Sequence, residues 1–381
     1  MPSQKSPFRR NRFFIIFTLI ALLHGYIGWR LLPELATNMT SWLIGIAYLC
    51  ISVLLIPLGM TARFMISRPV LADRLSWVGS LLLGLFSSLL VFTLLRDVVL
   101  LFSLNAVLAS DSALFVLILA ILVTVIGFIN ARRIPRVVEV MVPIDGLPSS
   151  LDHFRIVQIS DLHIGPTIKR AYVEAVVKRV NALQPDLIAV TGDIVDGKVD
   201  QLASHTAPLA MMRAKHGTFV VTGNHEYYSG ADQWMAEFRR LGMHTLSNEH
   251  VVIKHHGAQM VVAGVTDFNA GRFDVHQRSD PAQAILGIPE QWAPKILLAH
   301  QPRSASKAEA AGFDLQLSGH THGGQFWPWN LFVPLQQPFT AGLHRMGHLW
   351  VYTSRGTGYW GPPKRFGAPS EISLIQLVPG N

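Results

Sequence analysis

The segment FRIVQISDLH, residues 154–163, decides the fold of the soluble part of this chain. Its first part is a short apolar run with β-branched side chains, which predicts a buried strand over residues 154–160. Asp161 and His163 follow directly, where that strand is expected to end. Ligands of layered α/β proteins bind beyond the carboxyl ends of strands, so this position favours a functional site.

Four further segments repeat this arrangement of an apolar run followed by Asp, Asn or His. They are Gly192-Asp193, Gly223-Asn224-His225-Glu226, Ala299-His300 and Gly319-His320-Thr321-His322. One Asp-x-His pair is common by chance, but all five segments in this order form a strong signal. They supply enough oxygen and nitrogen ligands for two divalent cations that share one carboxylate, and mixed oxygen and imidazole ligation suits Mn²⁺, Fe²⁺ or Zn²⁺.

Strands and helices alternate between these segments. Apolar residues recur with helical spacing over residues 168–183, and further helices are expected over 202–212 and 233–241. Strands are expected over 137–142 (an edge strand), 187–190, 218–221, 251–254, 260–265, 296–299, 315–317, 349–353 and 372–377. This alternation predicts a layered α/β domain with all five segments at one sheet end.

The N-terminal part has a different character. Half of the chain is hydrophobic (50%), with a mean hydropathy of +0.33, and apolar stretches concentrate at residues 13–32, 42–60, 75–95 and 113–129. Each approaches the roughly 20 residues that cross a bilayer as a helix. We therefore expect a membrane region over residues 1–136 and a soluble domain over 137–381. A shorter run, Val98–Leu108, could be interfacial, re-entrant or a fifth span.

The charge distribution orients these spans. Residues 1–140 hold 12 of the 32 Lys and Arg but only 5 of the 24 Asp and Glu. Basic residues precede the first span, separate the second from the third and follow the fourth, so four spans place both termini and the soluble domain in the cytoplasm. A fifth span would reverse the side of the soluble domain. Residues 141–381 are nearly neutral, so we expect no nucleic-acid partner. The basic residues at the ends of the spans lead us to expect an integral protein of a bacterial-type inner or plasma membrane.

The segments together resemble the calcineurin-like metallophosphoesterases, and most closely their membrane-associated branch. The family pattern D-x-H, G-D-x-x-D, G-N-H-[DE], H and G-H-x-H is complete here, from Asp161 to His322. The resemblance extends from about Val137 to the C-terminus. It implies a four-layer α/β/β/α sandwich with two mixed sheets.

The resemblance also implies a role for each site residue. Two metal ions would be held by Asp161, His163 and His322, by Asn224, His300 and His320, and by Asp193, which bridges both. A hydroxide between the ions would attack phosphorus. His225 would stabilise the phosphoryl oxygens and protonate the leaving oxygen, with Glu226 orienting its ring, while Asp196 would lie outside the ligand set.

The expected function is hydrolysis of a phosphodiester, phosphomonoester or pyrophosphate at a membrane. The multispan anchor favours a phospholipid or a nucleotide-linked lipid as the phosphorylated substrate. Two alternatives stay open: a membrane sensor or transporter whose domain only binds a phosphorylated ligand, and a phosphoprotein phosphatase. Substrate choice is expected to lie in loops such as Asn269–Trp292, whose shape the sequence does not reveal.

Aromatic residues follow the last motif. Phe326, Trp327, Trp329 and Phe332 lie close together in the sequence. They would either pack into the domain or dip into the bilayer interface, where Trp is favoured.

Overall fold

A computed structural model describes residues 7–102, 106–289, 292 and 294–380. The chain forms two compact units. The helical unit contains the chain up to Ile129 together with the segment Gly361–Lys364, and the second unit contains Asn130–Trp360 and Arg365–Asn381.

In its described residues, the helical unit contains four long helices. They are α1 (Pro7–Leu35), α2 (Met39–Met65), α3 (Pro69–Leu101) and α4 (Ala106–Arg132). Each contains a stretch long and apolar enough to cross a membrane: Phe14–Leu35, Met39–Arg63, Pro69–Leu101 and Asp111–Arg132. The four expected apolar helices are therefore confirmed. The short run Val98–Leu108 begins inside α3 and then enters residues 103–105, which lie outside the described part of the chain.

Close backbone contact joins α2 to α3. A Cβ atom on Gly59 would lie 2.8 Å from the Cα atom of Gly79, so neither position has room for a side chain. The Ser76 hydroxyl donates to the Gly59 carbonyl at 3.0 Å. Small residues that let two helices approach, with a hydroxyl bonded across them, are typical of helix packing in membranes.

The second unit contains two six-stranded mixed sheets. In chain order its described strands are β1 (Arg136–Ile144), β2 (Arg155–Ile159), β3 (Leu187–Val190), β4 (Thr218–Val220), β5 (His244–Thr245), β6 (Glu249–His255), β7 (Ala258–Gly264), β8 (Lys295–Leu298), β9 (Leu315–Ser318), β10 (Gly342–Met346), β11 (Leu349–Thr353) and β12 (Glu371–Pro379). The first sheet has the order β1-β12-β2-β3-β4-β5 and the second β10-β11-β9-β8-β7-β6. Strands β2 to β5 are mutually parallel, as are β11, β9, β8 and β7.

Helices cover the outer face of each sheet. The described helices of this unit are α5 (Arg170–Ala182), α6 (Val199–Thr206), α7 (Asn224–Ser229), α8 (Ala231–Arg240), α9 (Pro281–Ala284) and α10 (Ala305–Ala310). Along β2 the side chains alternate: Ile156 lies in the core between the sheets and Val157 in the core shared with α5 and α8. A third core joins Leu297 of β8 to Ala305 and Ala308 of α10. The layers run helix, sheet, sheet, helix, which confirms the expected four-layer sandwich.

Two local features differ from the sequence expectations. The helix expected over 202–212 ends at Thr206 and continues as a 3₁₀ turn, Ala207–Met211, because Pro208 lacks the N–H that a longer α-helix needs. The short strands β5 and β10 and the six-residue helix α7 carry too little periodicity to be recognised in advance.

Candidate metal centre

The five sequence segments meet at the carboxyl ends of five strands. Asp161 follows β2, Asp193 follows β3, and Asn224 begins α7 after β4. His300 and His320 follow β8 and β9 of the other sheet. Parallel strands end at the same sheet edge, so each sheet delivers its polar residues to one place, and the packing of the sheets brings the two sets together.

The backbone at this edge is unusual. Five of the candidate residues have left-handed backbone conformations although none is glycine: φ is 54° at Asp161, 50° at His163, 52° at Asp193, 70° at His320 and 51° at His322. Such conformations are uncommon outside glycine, Asn and Asp, and they cluster at functional sites.

Two groups of side chains have the spacing of metal ligands. Asp161, His163 and His322 form one group and Asp193, His300 and His320 another, with the ligand atoms of each group within 4.8 Å of one another. In the first, the Nε2 atoms of His163 and His322 are 3.0 Å apart. In the second, His320 Nδ1 is 3.2 Å from His300 Nε2. Two nitrogens that each lie about 2.1 Å from one ion are separated by about this distance.

Asp193 lies where the two groups meet. Its Oδ2 atom is 3.1 Å from His300 Nε2 and 3.9 Å from His163 Nε2. A third ligand group combines Asp193 with His163 and His225. The carboxylate is thus placed to reach both candidate ion positions.

Asn224 provides a test of whether these residues fit a metal. Its Oδ1 atom is buried and has no hydrogen-bond partner among the residues that the structure describes. A buried amide oxygen without a partner is energetically costly, by about 1–3 kcal/mol. A divalent cation is a partner that would satisfy this oxygen, so the chemistry of the donor set fits such an ion.

Partners on the far side of the imidazoles fix their orientation. His300 Nδ1 donates to the carbonyl of Thr191 at 2.8 Å, so Nε2 is the nitrogen that faces Asp193. His163 Nδ1 lies 3.2 Å from Oδ1 of Asp196. Such partners hold the tautomer and ring position that a metal ligand requires. Asp196 therefore lies behind the ligands, as expected from the sequence.

Burial keeps two of the imidazoles neutral. It lowers the pKa of His320 to about 3 and, with the nearby Arg365 guanidinium, holds the pKa of His322 well below its ordinary value. A neutral imidazole offers the lone pair that a metal needs. Arg365, which is fully buried, also donates to the His322 carbonyl at 2.9 Å. No motif pointed to this arginine, because it comes from a distant loop.

His225 is held by Asp196. Its Nδ1 atom lies 2.5 Å from Asp196 Oδ1, and its Nε2 atom lies 3.9 Å from Asp193 Oδ2. Burial opposes protonation of this ring, but the carboxylates of Asp193 and Asp196 outweigh it and raise the pKa of His225 to about 9. A protonated imidazole beside a ligand group can donate a proton to a bound oxygen.

The expectation that Glu226 orients His225 is wrong. The Glu226 carboxylate points the other way and accepts the backbone N–H groups of Asp193 at 2.9 Å, Ile194 at 2.8 Å and Gly223 at 2.7 Å. Adjacent side chains at the start of a helix diverge, so only one of the pair can face the site. Glu226 instead ties the loop after β3 to the start of α7.

The aromatic residues after the last motif differ in their exposure to solvent. Phe326 is buried, whereas Trp329 and Phe332 are 42% and 52% exposed. Packing accounts for the first residue. The interface interpretation stays a prediction for the exposed pair.

Comparisons with known proteins agree with this geometry. A family model described as calcineurin-like phosphoesterase matches residues 154–324. A protein of Bos taurus named "Transmembrane protein with metallophosphoesterase domain" is 40% identical over 286 residues, covering 71% of this chain and 64% of that protein. The Danio rerio protein of the same name is 37% identical over 270 residues, covering 68% and 61%.

A bacterial relative is matched over a larger share of its length. An uncharacterized metallophosphoesterase of Helicobacter pylori is 37% identical over 260 residues, covering 67% of each chain. The chain spans less than two thirds of the two vertebrate relatives.

Proposed function

Because this chain belongs to the calcineurin-like phosphoesterase family, a family of phosphoester hydrolases, we propose that it is a membrane-anchored, metal-dependent phosphoesterase. One observation carries the proposal: two ligand groups meet at Asp193, and the buried oxygen of Asn224 has no hydrogen-bond partner in the described part of the chain. This arrangement suits two divalent ions of the Mn²⁺, Fe²⁺ or Zn²⁺ class.

Each ion would have its own residues. Asp161, His163 and His322 would hold the first, Asn224, His300 and His320 the second, and Asp193 would bind both. When bound, such a pair supplies Lewis acidity for phosphoryl oxygens and activates water near neutral pH.

The residues around these groups supply the remaining chemistry. The imidazolium of His225 would donate its Nε2 proton to the leaving oxygen as the ester bond breaks. Asp196 holds the opposite nitrogen and so aims the ring. The Glu226 carboxylate accepts the backbone N–H of Asp193 and so fixes the position of that residue.

The helical unit supports a membrane substrate. Four helices are long and apolar enough to cross a bilayer, and an even number of spans returns the chain to the side from which it started. The basic residues flanking the spans favour the cytoplasmic side for both termini and the second unit. An enzyme fixed there meets amphiphilic phosphoesters at high local concentration, which favours a phospholipid or a nucleotide-linked lipid.

Hydrolysis by the purified full-length protein tests the proposal. Bis-p-nitrophenyl phosphate and p-nitrophenyl phosphate would be supplied with Mn²⁺ or with chelator, for the wild type, Asp193→Asn and His225→Ala. Matched controls are Asp200→Asn and His153→Ala, which replace exposed residues away from the site. We expect metal-dependent turnover that falls by at least a hundredfold in both site variants and stays unchanged in both controls. Bound metal without turnover of either ester would favour a binding-only sensor or transporter.

A further inference from the structure

Three exposed aromatic side chains lie next to His225 or to its aromatic neighbour Tyr228. Tyr228, Phe273 and Trp360 are 60%, 50% and 49% exposed. The ring centres of Tyr228 and Trp360 lie 5.3 Å and 5.7 Å from the His225 ring, and Phe273 lies 5.7 Å from Tyr228. These three residues are called the aromatic rim below.

The aromatic rim is held in place from behind. The backbone N–H of Trp360 donates to Oε1 of Gln325, and the Trp360 carbonyl accepts from Nε2 of the same residue, both at 2.9 Å. Gln325 is buried, so it fixes Trp360 to the loop that follows the last ligand motif. Tyr227 backs Phe273 at 5.4 Å between ring centres and donates its hydroxyl to Gln277 at 2.8 Å.

Scattered exposed apolar residues are ordinary on protein surfaces, but contiguous ones mark binding sites. A phosphoester whose phosphorus lies at the ligand groups must direct one substituent past His225. The surface that this substituent meets is the aromatic rim. Covering the rings with an apolar substituent removes apolar area from water, whereas a purely polar substituent gains nothing there.

We infer that the aromatic rim is a subsite for the apolar chain of a phosphoester substrate. The inference rests on the proposed function and specifies its substrate class. The rings make no sequence-local pattern, because they come from α7, from the loop before α9 and from the loop before β12.

The four apolar helices of the helical unit favour a membrane lipid as the source of that apolar group. Trp360 is followed directly by Gly361–Lys364, the segment that belongs to the helical unit. Within that unit the buried Lys364 ammonium donates to the Gly84 carbonyl of α3 at 3.1 Å and to the Ser88 hydroxyl.

A homologous series of substrates tests the subsite. Full-length protein with Mn²⁺ would hydrolyse methyl 4-alkylphenyl phosphates with methyl, ethyl, butyl and hexyl groups on the phenyl ring, so that the varied group is carried by the phenol that leaves past His225, and the released phenol is measured. If the rings cover the growing chain, kcat/KM should rise roughly two- to fourfold per methylene. In the variant Tyr228→Ser/Phe273→Ser/Trp360→Ser, the ratio of hexyl to methyl kcat/KM should fall to near one.

A matched variant shows whether the effect belongs to the rim. Trp329→Ser/Phe332→Ser/Leu335→Ser removes three other exposed apolar side chains and should keep the wild-type ratio. The single variant Trp360→Phe preserves an apolar ring and should keep most of the wild-type ratio of hexyl to methyl kcat/KM. The metal content of this variant reports whether the ligand groups are intact.

Three outcomes would overturn the inference in different ways. A flat series in the wild type, or a steep series that survives in the triple rim variant, removes the subsite and leaves the proposed function standing. A methyl nucleoside phosphate with the nucleoside as leaving group that outperforms the hexyl ester, with this advantage lost in the rim variant, assigns the rings to a base instead. Absence of metal-dependent turnover of every member contradicts the proposed function, and the inference fails with it.

Discussion

Oδ1 of Asp196 lies 2.5 Å from Nδ1 of His225. The same oxygen is 3.2 Å from Nδ1 of His163. One carboxylate therefore orients both a candidate metal ligand and the candidate proton donor. The orientations of the His163 and His225 rings are therefore coupled, because both rings contact the same oxygen of Asp196.

Replacing Asp196 should lower both the metal affinity and kcat. Asp196→Asn keeps the size of the side chain but removes the charge that both imidazoles face. We expect a 10- to 100-fold loss of metal affinity, the range typical of partners behind a metal ligand, and a loss of kcat that saturating metal does not restore. Metal titration followed by turnover at saturation separates the two effects. Full recovery of kcat by added metal would show that Asp196 acts only through His163.

Asn224 should determine how many ions bind. Within the described ranges its buried Oδ1 atom has no hydrogen-bond partner, so Asn224→Ala should lower the metal content from two ions per chain to one. Asn224→Asp keeps an oxygen at the same place and should retain both ions. Elemental analysis of protein dialysed against limiting metal measures the stoichiometry. Two tightly bound ions in Asn224→Ala would mean that this residue is not a ligand.

Glu226 should contribute mainly to stability. Glu226→Ala leaves the buried backbone N–H groups of Asp193, Ile194 and Gly223 without their acceptor. Each unsatisfied group costs about 1–3 kcal/mol. In a domain of this size 1 kcal/mol shifts Tm by about 2–4 °C, so we expect Tm to fall by about 6 °C or more. Glu226→Gln retains one acceptor oxygen and should lose less than half as much.

Scanning fluorimetry of the full-length protein in detergent measures these shifts. Glu249→Ala, which replaces an exposed carboxylate, is the matched control and should leave Tm within 1 °C of the wild type, since surface changes are usually within about 0.5 kcal/mol. Equal Tm values for Glu226→Ala and the control would show that the loop holds without the carboxylate.

Membrane orientation can be measured with introduced cysteines. The chain has one cysteine, Cys50, which is first replaced by Ser. Thr37, in the exposed connection between α1 and α2, and Asp200, exposed on α6, are then changed to Cys in separate variants. With the second unit in the cytoplasm, a membrane-impermeant maleimide should label Thr37→Cys in intact cells but label Asp200→Cys only after lysis. The reverse pattern would place the second unit on the outer side.

The sequence by itself determined the layers of the fold and the residues that gather at the candidate site. Runs such as 187–190 carry their strand preference locally, and polar residues that follow such runs must lie at a sheet edge. The order and composition of the five motifs carried the resemblance to the calcineurin-like family, and that resemblance implied the four-layer sandwich.

Only the tertiary structure determined which of those residues contact one another and how their side chains are oriented. Three arrangements depend on strand order, on sheet packing and on loops far apart in the chain. Asp193 faces His300, Glu226 turns away from His225, and Trp360 lies beside the His225 ring. Local periodicity carries no information on such contacts, because they form only when two sheets bury their shared core and bring distant strand ends to one edge.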